Sequence, residues 1–121
     1  MFLATTNKTR RLLYLSYIGR VTAEEVERGR EEVNALVGDW PDGFRVLADF
    51  SRLESMDVAT TKELGRLMDV SSQRGVQLVV RVLPDPRKDP GLNILARFHY
   101  KHPVQLVTCD TMEEAVRALE I

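Results

Sequence analysis

Blocks of apolar and polar positions follow one another along this chain, and their period changes from block to block. Phe2 to Thr6 and Arg11 to Ile18 are β-leaning runs separated by Asn7-Lys8-Thr9, which predicts a β-hairpin. In the second run Leu13, Leu15 and Tyr17 fall on one side of a pleat and Tyr14 and Ser16 on the other, and Gly19 ends it. Thr22-Ala23-Glu24-Glu25 reads as a capping box, in which the hydroxyl takes a free N–H and Glu25 reaches back. Val26, Val33, Leu36 and Val37 then form a helical stripe opposite a charged side, and Gly38 and Pro41 stop the helix.

Phe44 to Phe50 is nearly continuous apolar sequence broken by Arg45 and Asp49, the pattern of a central strand covered on both faces. The strand is expected to end at Asp49, with a short polar turn through Ser51 and Ser55. Asp57 sits at the N-cap of a second helix with Leu64, Leu67, Met68 and Ser71 on one face, closed by Gly75. Val76 to Leu83 is the next strand, so strand, helix and strand make a parallel, right-handed βαβ unit. Pro84 to Pro90 reads as a rigid polar loop, with Asp89 and Pro90 as N-cap and first residue of a third helix. Leu92, Ile94, Leu95 and Phe98 continue that helix, Lys101 and His102 suit its negative end, and Pro103 stops it. Val104 to Thr108 is a last strand. Asp110 to Glu114 opens a last helix with Ala115, Val116 and Leu119 inward. The order is ββαβαβαβα, which argues for an α/β fold.

Composition narrows the picture. A length of 121 residues is near the modal domain size, so a single domain over 1–121 is expected. The 44% hydrophobic and 29% charged fractions are those of an ordinary globular protein. A formal net charge of −1 gives no global attraction to nucleic acid or to an anionic membrane. Cys109 is the single cysteine, so no intrachain disulfide can form. Lys8, Arg10, Arg11 and Arg20 interrupt the early apolar residues, which argues against a signal peptide, and no apolar run approaches the ~20 residues of a membrane span. A cytoplasmic protein is the expectation.

The candidate chemistry is sparse. Asp57 caps a helix and can also set that helix start at a partner surface. Of Thr60 and Thr61, one should pack on the sheet and the other face solvent. A phosphate on either would be tolerated by the helix dipole and would act on a partner. Arg87, Lys88 and the N–H groups near Gly91 and Asn93 can be read as an anion loop, or as a solvated loop partly neutralised by Asp85 and Asp89. His99 and His102 are three apart, but a zinc site needs three or four ligands, with just Cys109 and Asp110 nearby in sequence. No metal or cofactor is expected. No nucleophile, base and oxyanion stabiliser converge, and Cys109 reads as a core thiol, so no enzyme is expected. Leu92, Ile94, Leu95, Phe98 and Tyr100 are wider than one stripe. They fit a deeply packed helix, a lid over an apolar pocket, or a dimer surface.

That element order, joined to Leu47-Ala48-Asp49-Phe50-Ser51-Arg52-Leu53-Glu54-Ser55-Met56-Asp57, resembles the STAS family of sulfate-transporter and anti-sigma-factor-antagonist domains. Asp49-Phe50-Ser51 and Met56-Asp57 match the family's turn and helix start, and Thr111 to Ala115 looks like its last helix start. The resemblance implies an N-terminal hairpin, a small mixed sheet with helices mainly on one face, and a regulatory, non-enzymatic role in protein–protein interaction. Switch members carry a phosphorylatable Ser or Thr directly after the Asp57-equivalent residue, where this chain has Val58 and Ala59. The usual phosphoacceptor position is therefore not retained. The expected working face joins Ser51, Ser55, Asp57, Thr60 and Thr61 to the Pro84–Asn93 loop, since loops following parallel strands emerge at one edge. An STAS-like group similar to lipid carriers supplies the alternative. There a small apolar ligand, acyl or lipid-like, lies between the sheet and helix 92–100, against Leu92, Leu95, Phe98 and Tyr100. A homodimer is a further expectation.

Overall fold

The computed structural model describes residues 1–40, 43–85, 87, 91–101 and 103–120. Pro41, Lys88, Asp89, Pro90 and His102, to which the sequence assigned helix ends and an anion loop, lie outside the described residues. The elements run β1 (Phe2–Asn7), β2 (Leu12–Val21), α1 (Ala23–Val37), β3 (Arg45–Met56), α2 (Val58–Gln73), β4 (Leu78–Val82), α3 (Leu92–His99), β5 (Gln105–Cys109) and α4 (Met112–Leu119). This is the expected ββαβαβαβα order. The strands lie side by side in chain order, with β1 antiparallel to β2 and every other neighbour parallel.

Alternation along the strands sorts two cores. Leu13, Leu15 and Tyr17 of β2, Val46, Ala48 and Phe50 of β3, and Val79 of β4 point to the face covered by α1, α2 and α3. Leu12, Leu47, Val80 and Val82 point to the opposite face, where Ala115 and Leu119 of α4 cover them. Helices therefore lie mainly on one face, and α4 guards the other. On the larger face Tyr17 and Phe50 stack at 4.3 Å between ring centroids. Gly29 of α1 is needed there, because a Cβ at that position would stand 2.1 Å from the Phe2 ring.

The local helix signals hold. Thr22 accepts from the Glu25 N–H at 3.3 Å, and Glu25 accepts from the Thr22 N–H at 3.1 Å, completing the capping box. Thr111 caps α4 by accepting from the Glu114 N–H at 3.1 Å. Two expectations are corrected. First, the strand does not end at Asp49: β3 continues through Met56, and Ser51 and Ser55 lie on a strand, not in a turn. Pairing with β4 stops at Asp49↔Val82, while β2 is long enough to pair Ile18, Gly19, Arg20 and Val21 with Arg52, Leu53, Ser55 and Met56 across two irregularities. The tail is thus held as a strand by β2 and is polar except at buried Leu53 and half-buried Met56.

Second, the described part of α3 begins at Leu92, with Gly91 at its N-cap at φ 87° and no side-chain cap. It is not deeply packed all round. Leu92 and Ala96 are buried, while Ile94 and Phe98 are 75% and 68% exposed.

Candidate functional site

Four parallel strands end on the same side of the sheet, and the β3–α2 junction is the most built of their outlets. The β3 tail delivers Met56 and then Asp57, whose extended backbone caps α2. The Asp57 carboxylate accepts from the Thr60 N–H at 2.9 Å and from the Thr60 hydroxyl at 2.8 Å. Those two bonds, the backbone one first, hold its pKa below the ordinary aspartate value. The Thr60 hydroxyl also lies 3.2 Å from the Val21 carbonyl, so Thr60 links the helix start to the end of β2.

Thr60 is therefore buried and adds nothing to an exposed switch surface, contrary to its place in the sequence-derived set. Thr61 is partly exposed and donates to the Val58 carbonyl at 2.7 Å. Of the two threonines one packs and the other reaches solvent, as the helical period requires. Val58, at the first position of α2, is 74% exposed. An apolar side chain there has no core role, and its exposure was invisible to periodicity alone.

Between this junction and the β4–α3 connection lies an open cleft of about 220 Å³, lined by Leu53, Glu54, Ser55, Met56, Thr61, Arg87 and Leu92. The geometry brings Ser55 and Thr61 to the same hollow as Arg87, although more than twenty residues separate them in sequence. Ser51 is exposed farther back on β3. Leu53, Glu54 and Met56 were missed as lining residues because the tail was read as a turn.

Two of the residues expected in an anion loop, Arg87 and Asn93, are described with their partners. Arg87 faces Asp85, with Nε to Oδ1 and Nη2 to Oδ2 both at 3.1 Å, a fork that strengthens its hold on its proton. The Asn93 side-chain oxygen accepts from Nη2 of buried Arg81 at 3.1 Å, and the same nitrogen donates to the Thr108 hydroxyl at 2.7 Å. Asn93 thus serves the interior. The signal for Arg81 was present as a lone cation inside the apolar run Val79-Val80-Arg81-Val82-Leu83.

The set assigned to an apolar pocket also divides. Leu92 packs into the core and lines the cleft, Leu95 and Tyr100 are half-buried against the core, and Phe98 faces solvent under Lys101 Nζ at 5.0 Å. Burial raises the Tyr100 hydroxyl pKa, with Arg81 pulling the other way. His99 Nδ1 lies 2.7 Å from Asp69 Oδ1, and its ring fills the space that a side chain at Gly65 would need. Among the described residues no group of three or more His, Cys, Asp or Glu side chains is placed to hold a metal ion, and no helix is long and apolar enough to cross a membrane. Buried Cys109 has its thiol pKa raised by burial first and by Glu114 and Asp110 after it.

No family model matches this chain, and neither does any curated protein. Solved structures do. The chain is similar to the anti-sigma factor antagonist SpoIIAA in its unphosphorylated form, with a TM-score of 0.65 and 19% identity over 99% of this chain and 98% of that one. An uncharacterized protein with a SpoIIAA-like fold from Shewanella loihica PV-4 gives a TM-score of 0.73 at 12% identity over 98% of this chain and 92% of that one. An anti-sigma factor antagonist from Mycobacterium paratuberculosis gives 0.59 at 19% identity over all of this chain and 94% of that one. Element order, mixed sheet and structural neighbours agree: the chain has the SpoIIAA-like fold, consistent with the STAS resemblance carried by Asp49-Phe50-Ser51 and Met56-Asp57.

Proposed function

We propose that this chain is a single-domain, non-enzymatic regulatory module that docks a protein partner on the β3–α2 edge. The observation that carries the reading is the cleft at the C-terminal ends of the parallel strands. There the apolar side chains of Leu53, Met56 and Leu92 are ringed by Glu54, Ser55, Thr61 and Arg87. Exposed Val58 stands at the start of α2, next to the residue that caps that helix. An apolar floor with a polar rim is how protein interfaces are built. The likeness to anti-sigma factor antagonists supports the same class of role. In this reading the surface works without a phosphate at the position after Asp57, since Val58 has no hydroxyl. Regulation then rests on occupancy of the cleft or on Thr61, whose hydroxyl is the reachable one of the pair.

Affinity capture from source cells tests the proposal, using wild type beside Val58→Glu and Ser55→Arg. Both positions are exposed, and an acidic side chain suits a helix N-terminus, so the fold is kept. A defined partner held by wild type and lost by both variants is the expected result. Equal capture by all three overturns the reading.

A further inference from the structure

β1 forms one edge of the sheet and, among the described residues, pairs with β2 alone. Its ladder determines which backbone groups point away from the molecule. The Met1 nitrogen donates to the Ile18 carbonyl at 2.6 Å, and the Ile18 N–H donates to the Met1 carbonyl at 2.8 Å, so these two residues form a bonded pair. Bonded and unbonded pairs alternate in an antiparallel ladder. The register Leu3↔Ser16, Thr5↔Tyr14 and Asn7↔Leu12 therefore bonds inward, and the N–H and C=O groups of Phe2, Ala4 and Thr6 face outward.

Natural sheets protect such an edge with charge, proline or a bulge. Phe2-Leu3-Ala4-Thr5-Thr6-Asn7 has no charged residue and no proline, and its register with β2 is unbroken. The other edge, β5, is one residue shorter and has its own flanking residues. In β5 the Gln105 N–H and the Cys109 carbonyl bond toward β4, so the backbone groups of Leu106 and Thr108 point outward, between Pro103 and Asp110.

We infer that β1 pairs with the β1 of a second copy of this chain, antiparallel and centred on Ala4, joining the two sheets into one. In that register Ala4 meets Ala4, and Phe2 of one copy meets Thr6 of the other. These are the residues with outward groups, so each donates and accepts once across the seam. The contact is its own mirror under a twofold axis, as a closed dimer requires. Leu3, 46% exposed on the face away from α1, meets Thr5 of the other copy. The same register sets the Lys8 turn of one copy beyond Met1 of the other, whose ammonium pairs with Glu25 at 3.2 Å. Packing of Phe2 against Gly29 presents the strand already ordered. A seam of one strand pair is smaller than a standard interface, so the dimer is a reversible one.

Sedimentation of the whole chain over a concentration series tests this, with Ala4→Pro and Leu3→Lys alongside. Proline at residue 4 removes an outward N–H and fills the seam, but leaves the inward bonds of residues 3, 5 and 7. Lysine at residue 3 brings like charges together across the axis. The expected result is a concentration-dependent wild-type dimer whose dissociation constant rises at least about tenfold in each variant, a factor of ten being about 1.4 kcal/mol. Should Ala4→Pro unfold, Leu3→Lys decides, because its side chain is exposed and its backbone unchanged. A wild type that stays monomeric to millimolar concentration overturns the inference, and so does a dimer that Leu3→Lys leaves intact.

Discussion

α2 and α3 run side by side on the same face of the sheet, and they hold their places by different means. α2 has its own cap in Asp57 and its own core face, in which Leu64, Leu67, Met68 and Ser71 are buried. α3 has Gly91 at its N-cap, no side-chain cap among the described residues, eight residues, and Leu92 and Ala96 as its buried pair. It borrows order from α2 through the His99–Asp69 contact and the close approach of His99 to Gly65. A helix fixed by local signals can carry an exposed apolar residue such as Val58 at a working edge without losing its position. A helix fixed by its neighbour depends on that neighbour.

Leu64→Ala breaks the comparison at its strongest point. The side chain is fully buried, so truncation should cost about 2–5 kcal/mol, read from urea unfolding. A cost below about 1 kcal/mol would mean that α2 is not the anchor. Asp57→Ala comes next. Losing both bonds to Thr60 should lower the melting temperature by roughly 4 °C at neutral pH. The sign with pH follows from the depressed carboxylate pKa. The wild-type advantage is fully present above the unfolded value of about 4 and is lost as pH falls through the folded value. Melting curves of both proteins should therefore converge in acid, and a gap that persists there would assign the effect to something other than the carboxylate.

Gly65→Ala sharpens the contrast because it acts on the borrowed order. The new Cβ would meet His99 Nε2 at 2.7 Å, so the imidazole must swing away from Asp69. Alanine also favours α2 itself by about 1 kcal/mol. Global stability should then change little, while amide exchange of residues 95–100 accelerates. Unchanged exchange in that segment would show that α3 stands without the His99 contact.

The same division explains what the sequence made legible. Thr22, Asp57 and Thr111 marked helix starts because a cap is satisfied within three residues: Glu25, Thr60 and Glu114 supply the N–H groups. The apolar runs of β3 and β4 marked buried strands for the same local reason. The tail of β3 was not legible, because its partner is β2, more than thirty residues away, and a strand bonded on one side can be as polar as a turn. The cleft was half legible. Shared polarity of the parallel strands brought the β3–α2 and β4–α3 connections together, but Leu53 and Met56 entered its lining through that misread tail. Asn93 and Arg87 looked alike as loop polar residues. A distant partner, Arg81, for Asn93 and a nearby one, Asp85, for Arg87 separated them.

The smallest expected effect tests the outer side of α3. Phe98 is an aromatic residue at helical spacing from Ile94 and Leu95, and spacing alone placed it in a pocket. In the fold its ring lies in solvent beneath the Lys101 ammonium, which also donates to the Phe98 carbonyl at 2.9 Å. An exposed cation–ring contact is worth about 0.5–1 kcal/mol, and the bond to the carbonyl survives substitution of the ring. Phe98→Ser should therefore change unfolding stability by less than about 1 kcal/mol. Phe50→Ala, at a buried position in the larger core, should cost about 3–5 kcal/mol in the same assay. Equal costs would place Phe98 inside, restore α3 as a core helix, and remove the distinction between the two helices. Unequal costs leave α3 as a short helix held by its inner edge, with Leu92 set into the cleft wall and Phe98 and Ile94 outside it.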